Sequence, residues 1–174
     1  MLLFSRAALL ALRRGLLGSD DGEGSLTLQE AGYAGGPAIY DAFQRWLAER
    51  TVHPPGELEL EEFTVCLSAF FEECGWGSLK ISSMDGVVAA IDCIDWVESE
   101  PEAGAEVPGC HITTGLFADL FGRIAGAAVA VLEVECRSAG QLHCRFLVGS
   151  PEVMDAIYED MVRGIPYEQA LAAA

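Results

Sequence analysis

Cys110, Glu133, Cys136 and Cys144 are the residues whose types and spacing could do chemistry. They read as a cysteine, 22 residues, Glu-x-x-Cys, seven residues and a last cysteine. Thiolate sulfur and carboxylate oxygen suit a borderline divalent cation, and four such donors would close a tetrahedral zinc site. The usual zinc spacings are absent, so two other readings stay open. Each cysteine could be a buried small hydrophobe. Cys136 and Cys144 could also form a disulfide, because a three-residue loop at Ala139-Gly140-Gln141 would set them opposite each other on adjacent strands. No export signal is read in the chain, and a reducing compartment disfavours that bridge. His111 and His143 each adjoin a proposed ligand and are alternative donors to Glu133.

The donors impose a condition on the backbone. Side chains alternate faces along a strand, so Glu133 and Cys136 should point oppositely. Both can reach one ion only if the strand twists sharply, bulges or ends near Glu135.

The elements that must position these residues follow from periodicity. Residues 1–18 read as an amphipathic helix, with Arg13 and Arg14 after its apolar run, and residues 19–25 as a polar linker. Residues 26–174 then form one domain. Pro37 opens a helix whose apolar face is Ile39, Ala42, Phe43, Trp46 and Leu47. Pro54-Pro55-Gly56 breaks the chain, and Leu60 to Cys74 is a second amphipathic helix stopped at Gly75. Glu57, Glu59, Glu61 and Glu62 are its solvated start. Leu79–Ser83 and Val87–Val97 are strands joined at Met84-Asp85-Gly86. A loop over Glu98–Gly109 leads through Cys110 into a third helix carrying Leu116, Phe117, Leu120, Phe121 and Ile124. Ala127–Arg137 and Leu142–Val148 form a second hairpin. Ser150-Pro151 starts a last helix that Gly164 and Pro166 end. Two hairpins and intervening helices predict an α+β fold, an antiparallel sheet packed with helices.

Charge narrows the partners. The 174-residue chain has 27 acidic and 10 basic residues, a formal net charge of −17. That opposes nucleic acid and anionic membrane surfaces. No apolar run reaches the roughly 18–20 residues of a membrane span. The arginines behind the apolar opening are the reverse of a secretory signal, so a cytoplasmic protein is expected. Leu2, Leu3, Leu9, Leu10 and Leu16 need a covering surface, which predicts a homodimer.

Pro108-Gly109-Cys110 through Gly115-Leu116-Phe117 resembles a helix start of the 4-vinyl reductase domain family. Glu133-Val134-Glu135-Cys136 through Gly140 to Cys144-Arg145-Phe146 resembles that family's hairpin. The resemblance runs from about Leu26 to Leu171, with the specific motifs confined to Pro108–Phe146. It includes sensor domains of phenol-responsive regulators and proteins linked to bacteriochlorophyll biosynthesis, and the fold is shared with a vesicle-tethering (TRAPP) subunit. The resemblance implies zinc, Zn(2+), held by Cys110, Glu133, Cys136 and Cys144. It also implies a pocket for a small hydrophobic or aromatic ligand between sheet and helices.

Phe70, Trp76, Trp96, Phe117 and Phe121 are the aromatics available to such a pocket, although aromatics at these spacings normally pack as core. Trp96, just before the loop, is best placed to offer an N–H to a ligand hydroxyl. No nucleotide loop, nucleophile elbow or HExxH motif supports an enzyme. A closed zinc site leaves no place for reactive water. The expected function is a stand-alone binding or sensor module acting through a partner effector protein. The alternatives are an accessory factor or reductase-like protein of tetrapyrrole biosynthesis, and a ligand-free interaction scaffold.

Overall fold

A computed structural model describes residues 5–18, 23–84 and 86–173. Leu2 and Leu3 of the opening segment, most of the expected linker, and Asp85 of the first hairpin turn lie outside the described residues. The chain is α+β. Helices α1 (Arg6–Leu17), α2 (Glu23–Ala48) and α3 (Leu60–Glu73) precede strands β1 (Leu79–Met84) and β2 (Val88–Cys93). Helix α4 (His111–Ala125), strands β3 (Ala130–Glu135) and β4 (Cys144–Gly149), and helices α5 (Pro151–Val162) and α6 (Tyr167–Ala173) follow. The sheet order is β1-β2-β4-β3, antiparallel throughout.

The sheet is covered on both faces. Ile81, Ile91, Cys144 and Phe146 turn one face toward the aromatic core built with α2, α3 and α4. Val88, Ala90 and Leu147 turn the other toward Met154 and Ile157 of α5 and Leu171 of α6. The period-two alternation of strand side chains feeds both layers at once.

Helix α2 differs from expectation. It begins at Glu23, within the expected linker, and runs through Pro37, the expected helix start. A proline inside a helix forfeits one hydrogen bond and costs about 3 kcal/mol. Packing against α4 offsets that loss. A Cβ on Gly32 would lie 1.9 Å from the carbonyl oxygen of Ile112, and one on Gly36 would lie 2.3 Å from the Asp119 carboxylate. Glycine here removes the side chain that would hold two backbones apart.

Three further boundaries move. Strand β2 ends at Cys93 instead of Val97, because Trp96 turns into the core and Asp95 accepts hydrogen bonds from the Ser78 N–H and hydroxyl at 2.8 Å. The second hairpin closes through a 3-10 turn at Arg137–Ala139 with Gly140 at φ 85°, so its strands are shorter than expected. Helix α6 is absent from the sequence-based expectation; its apolar signal is only Ala170 and Leu171 facing the second core layer.

The start of α5 follows the sequence. Ser150 accepts a hydrogen bond from the Val153 N–H at 3.4 Å, with Pro151 in the first turn. Ser150→Ala should cost about 1 kcal/mol, measured as a lower urea midpoint at unchanged slope.

Candidate metal centre

The four residues selected by spacing come together. One donor atom from each of Cys110, Glu133, Cys136 and Cys144 lies within 4.8 Å of all the others. The three thiols are fully buried. Cys110 Sγ is 3.8 Å from Cys136 Sγ and 3.9 Å from Cys144 Sγ, and Cys136 and Cys144 are 3.9 Å apart. All the cysteines are free thiols, so the Cys136–Cys144 disulfide is not formed. Neither His111 nor His143 joins the cluster. His143 lies 3.3 Å from Asp92 Oδ1 and 3.4 Å from Glu135 Oε2.

The parity condition on β3 is met by a register shift. Glu133 pairs with Phe146 and Glu135 with Arg145, so the ladder slips between them, and the strand ends at Glu135. A slip of this kind re-aims the residues after it. Glu133 and Cys136 thereby reach one point.

Cys110 is placed from the other side, as the N-cap residue of α4. Its N–H donates to Glu133 Oε2 at 2.6 Å. Glu98, fully buried, caps the same helix start by accepting from the N–H groups of Ile112 and Thr113 at 2.9 and 2.8 Å. Thr113 Oγ1 donates to Glu98 at 2.6 Å and accepts from the Trp96 indole N–H at 2.7 Å. Burial pushes the Glu98 carboxyl up, and the donors from Thr113 and Ile112 with the Arg13 charge pull it back. Arg13 of α1, also buried, donates to the Gly109 carbonyl at 3.0 and 2.9 Å and lies 4.0 Å from Glu98.

Arg6 donates to the carbonyls of Val97 and Ser99, and Arg14 pairs with Glu100. The loop is pinned to the hairpin turn as well: Glu100 N–H donates to Ser138 Oγ at 2.9 Å and Ala105 N–H to the Ser138 carbonyl at 2.8 Å. These contacts bring the loop ending in Cys110 against the turn that follows Cys136. Glu98 and Arg13 escape sequence reasoning, because each acts across a sequence gap that no local pattern records.

The electrostatics suit a cation. The Cys136 thiol is held well below its ordinary range by the Cys110 and Cys144 thiols beside it. The Cys110 thiol is pushed well up by those same neighbours and by burial, and burial with the nearby Cys136 pushes the Glu133 carboxyl well up. A protein interior cannot hold several adjacent anions uncompensated. A divalent ion among them would offset that repulsion. Glu133 Oε1 is buried with no hydrogen-bond partner, which is the atom a cation would take. The donor set fits zinc: three thiolates and one carboxylate close a four-coordinate site.

Residues 94–150 match the model of the 4-vinyl reductase domain. This is the family that the sequence motifs resemble. The matched segment covers about a third of the chain and includes all four clustered donors. No curated protein matches the chain in sequence. Among solved structures, the phenol-responsive sensory domain of the transcription activator PoxR, solved with phenol, is similar at 20% identity and a TM-score of 0.68. That alignment covers 87% of this chain and 77% of that one. A trafficking protein particle complex subunit 3 from Naegleria fowleri, covalently bound to palmitic acid, aligns at 16% identity and a TM-score of 0.60. It covers 83% of this chain and 89% of that one. A vinyl-4-reductase family protein from Methanocaldococcus jannaschii aligns at 19% identity and a TM-score of 0.50, covering 80% and 74%. At these identities the likeness establishes the fold.

The expected ligand aromatics divide. Phe70, Trp96 and Phe117 are core, buried and packed with Phe71 at ring-centroid distances of 5.4, 5.3 and 6.0 Å. The Trp96 N–H is already given to Thr113, so it has no donor left for a ligand hydroxyl. Phe121 is only half-buried and lines a cleft of about 370 Å³ between the end of α4 and the sheet, with Leu60, Val88, Ile124, Val129 and Val148. A larger cleft of about 670 Å³ lies along β3 beside the cluster, and Glu133 lines it with His111, Val131, Tyr158 and Met161.

Proposed function

We propose that this protein is a small-molecule-binding or sensing module built around a closed, structural zinc centre. The observation that carries the binding function is the apolar cleft between α4 and the sheet, where Phe121 and Ile124 face Val88 and Val148. Its volume is within the range of ligand sites, and its lining suits a compact neutral ligand. The zinc reading is supported by the buried cluster of three thiols and a carboxylate with an unpartnered oxygen among them. Zinc held by four protein ligands would lock the loop, the start of α4 and the β3–β4 turn together, leaving no open position for catalysis. The phenol bound by the PoxR domain and the palmitic acid on the trafficking subunit are both compact or elongated apolar groups, and this chain's cleft has the same chemical character. No helix among the described residues is long and apolar enough to cross a membrane, so a binding partner would carry any signal onward.

A thermal-shift series with phenols, indoles, fatty acids and porphyrin precursors tests this reading. A bound class should stabilise the fold by roughly 2.7 kcal/mol at about a hundred times its dissociation constant. Val129→Trp, which fills the cleft, should abolish the shift. A shift that survives Val129→Trp would place the ligand elsewhere. No shift with any class would favour the second reading, an interaction scaffold. One observation supports that second reading: the packed rings of Phe70, Trp96 and Phe117, which fill the space where a pocket was expected.

A further inference from the structure

The cluster has a neighbour that its four-residue pattern omits. Cys93, at the end of β2, is fully buried and pairs directly with Cys144 of β4. Residues directly opposite on adjacent antiparallel strands project to the same face, with Cβ atoms about 4.5–5.5 Å apart. Cys93 therefore faces the layer that holds the cluster, and it shares a core with Cys110, Cys136 and Cys144. Burial raises its thiol well above the ordinary range, and Cys144 and Glu133 are among the charges that add to the rise. The region thus offers four buried thiols and one carboxylate to an ion that needs four donors.

The donors are not equally fixed. Cys110, Cys136 and Cys144 are enclosed. Glu133 sits on edge strand β3, at the register shift, and its side chain also lines the 670 Å³ cleft. It has somewhere to go. We propose that Cys93 is a reserve ligand that replaces Glu133, so that the centre exchanges a three-thiolate, one-carboxylate set for a four-thiolate set. Four thiolates are an ordinary closed set for zinc. The exchange balances: Cys93 gives up its thiol proton on coordinating, and the departing Glu133 carboxylate takes it, leaving the total charge unchanged. Glu133 then faces the cleft as a neutral acid able to donate a hydrogen bond. This proposal rests on the cluster being a metal centre.

The test uses the full chain loaded with cobalt(II), whose thiolate charge-transfer absorption reports the number of sulfur donors, and with cadmium-113, whose resonance moves downfield with each thiolate. Wild type and Cys93→Ser should show the same three-thiolate spectrum. Glu133→Ala should keep one ion per chain and shift to the four-thiolate spectrum. Glu133→Ala combined with Cys93→Ser should lose the ion. Glu133→Asp, which keeps a carboxylate but draws it back by one methylene, should give the same shift if the alanine variant does not fold. A three-thiolate spectrum in both Glu133 variants, or a folded Glu133 variant without metal while wild type binds it, would overturn the reserve role. Wild type that takes up neither ion would overturn the metal reading itself and this proposal with it.

Discussion

Cys144→Ser is expected to leave the chain without its metal and with its fold broken down. The apparent binding energy of a structural zinc at neutral pH is on the order of 10 kcal/mol or more, comparable to the whole stability of a domain, about 5–15 kcal/mol. Cys144 also accepts the Arg137 N–H at 3.4 Å, so its loss loosens the hairpin turn as well. Cys136→Ser should do the same, because that thiol touches both of the others. Metal analysis on protein purified without a histidine tag should find about one zinc per chain in wild type and none in either variant, with helical circular dichroism lost near room temperature. A folded, metal-free wild type with these thiols free would sink the zinc reading.

Gly115→Ala should give the second-largest loss. A Cβ at Gly115 of α4 would lie 1.9 Å from the Gln29 carbonyl oxygen and 2.8 Å from the Tyr33 nitrogen, both backbone atoms of α2. Neither can swing aside, so the helices must separate and carry the Cys110 end of α4 with them. Overpacking of this kind costs about 3 kcal/mol or more. Gly35→Ala on α2 is the control, with nothing within 4 Å of the new Cβ. It should be neutral or stabilising by up to about 1 kcal/mol. Equal urea midpoints for the two variants would show that α2 and α4 are not held at backbone contact.

The sequence made some of this legible and hid the rest for identifiable reasons. The helix and strand order was readable because the apolar periods are long and punctuated by Gly75, Ser150 and Pro151. The four donors were readable because three lie within twelve residues of chain, and the conflict of parity between Glu133 and Cys136 correctly required the irregularity now seen in β3. Pro37 misleads because its local preference is outweighed by the glycine contacts of α2 with α4, which only the packed structure reveals. Cys93 escapes notice for a related reason. Its meeting with Cys144 depends on β2 pairing with β4 instead of each hairpin standing alone. Glu98 reads as the first residue of a polar loop, yet it is buried as the cap of a helix that begins thirteen residues later. The ligand aromatics failed most clearly, since helical spacing cannot distinguish a ring that lines a cleft from one that fills a core.

The three arginines of α1 make that helix an external gauge of a buried event. Arg13 grips the Gly109 carbonyl, one peptide from Cys110, across 96 positions of sequence. Leu12, its neighbour, is 59% exposed. A fluorophore attached at Leu12 would ride on a helix anchored beside a thiol that solvent cannot reach. The opening helix is therefore a place from which the occupancy of the centre can be read without touching any of its donors.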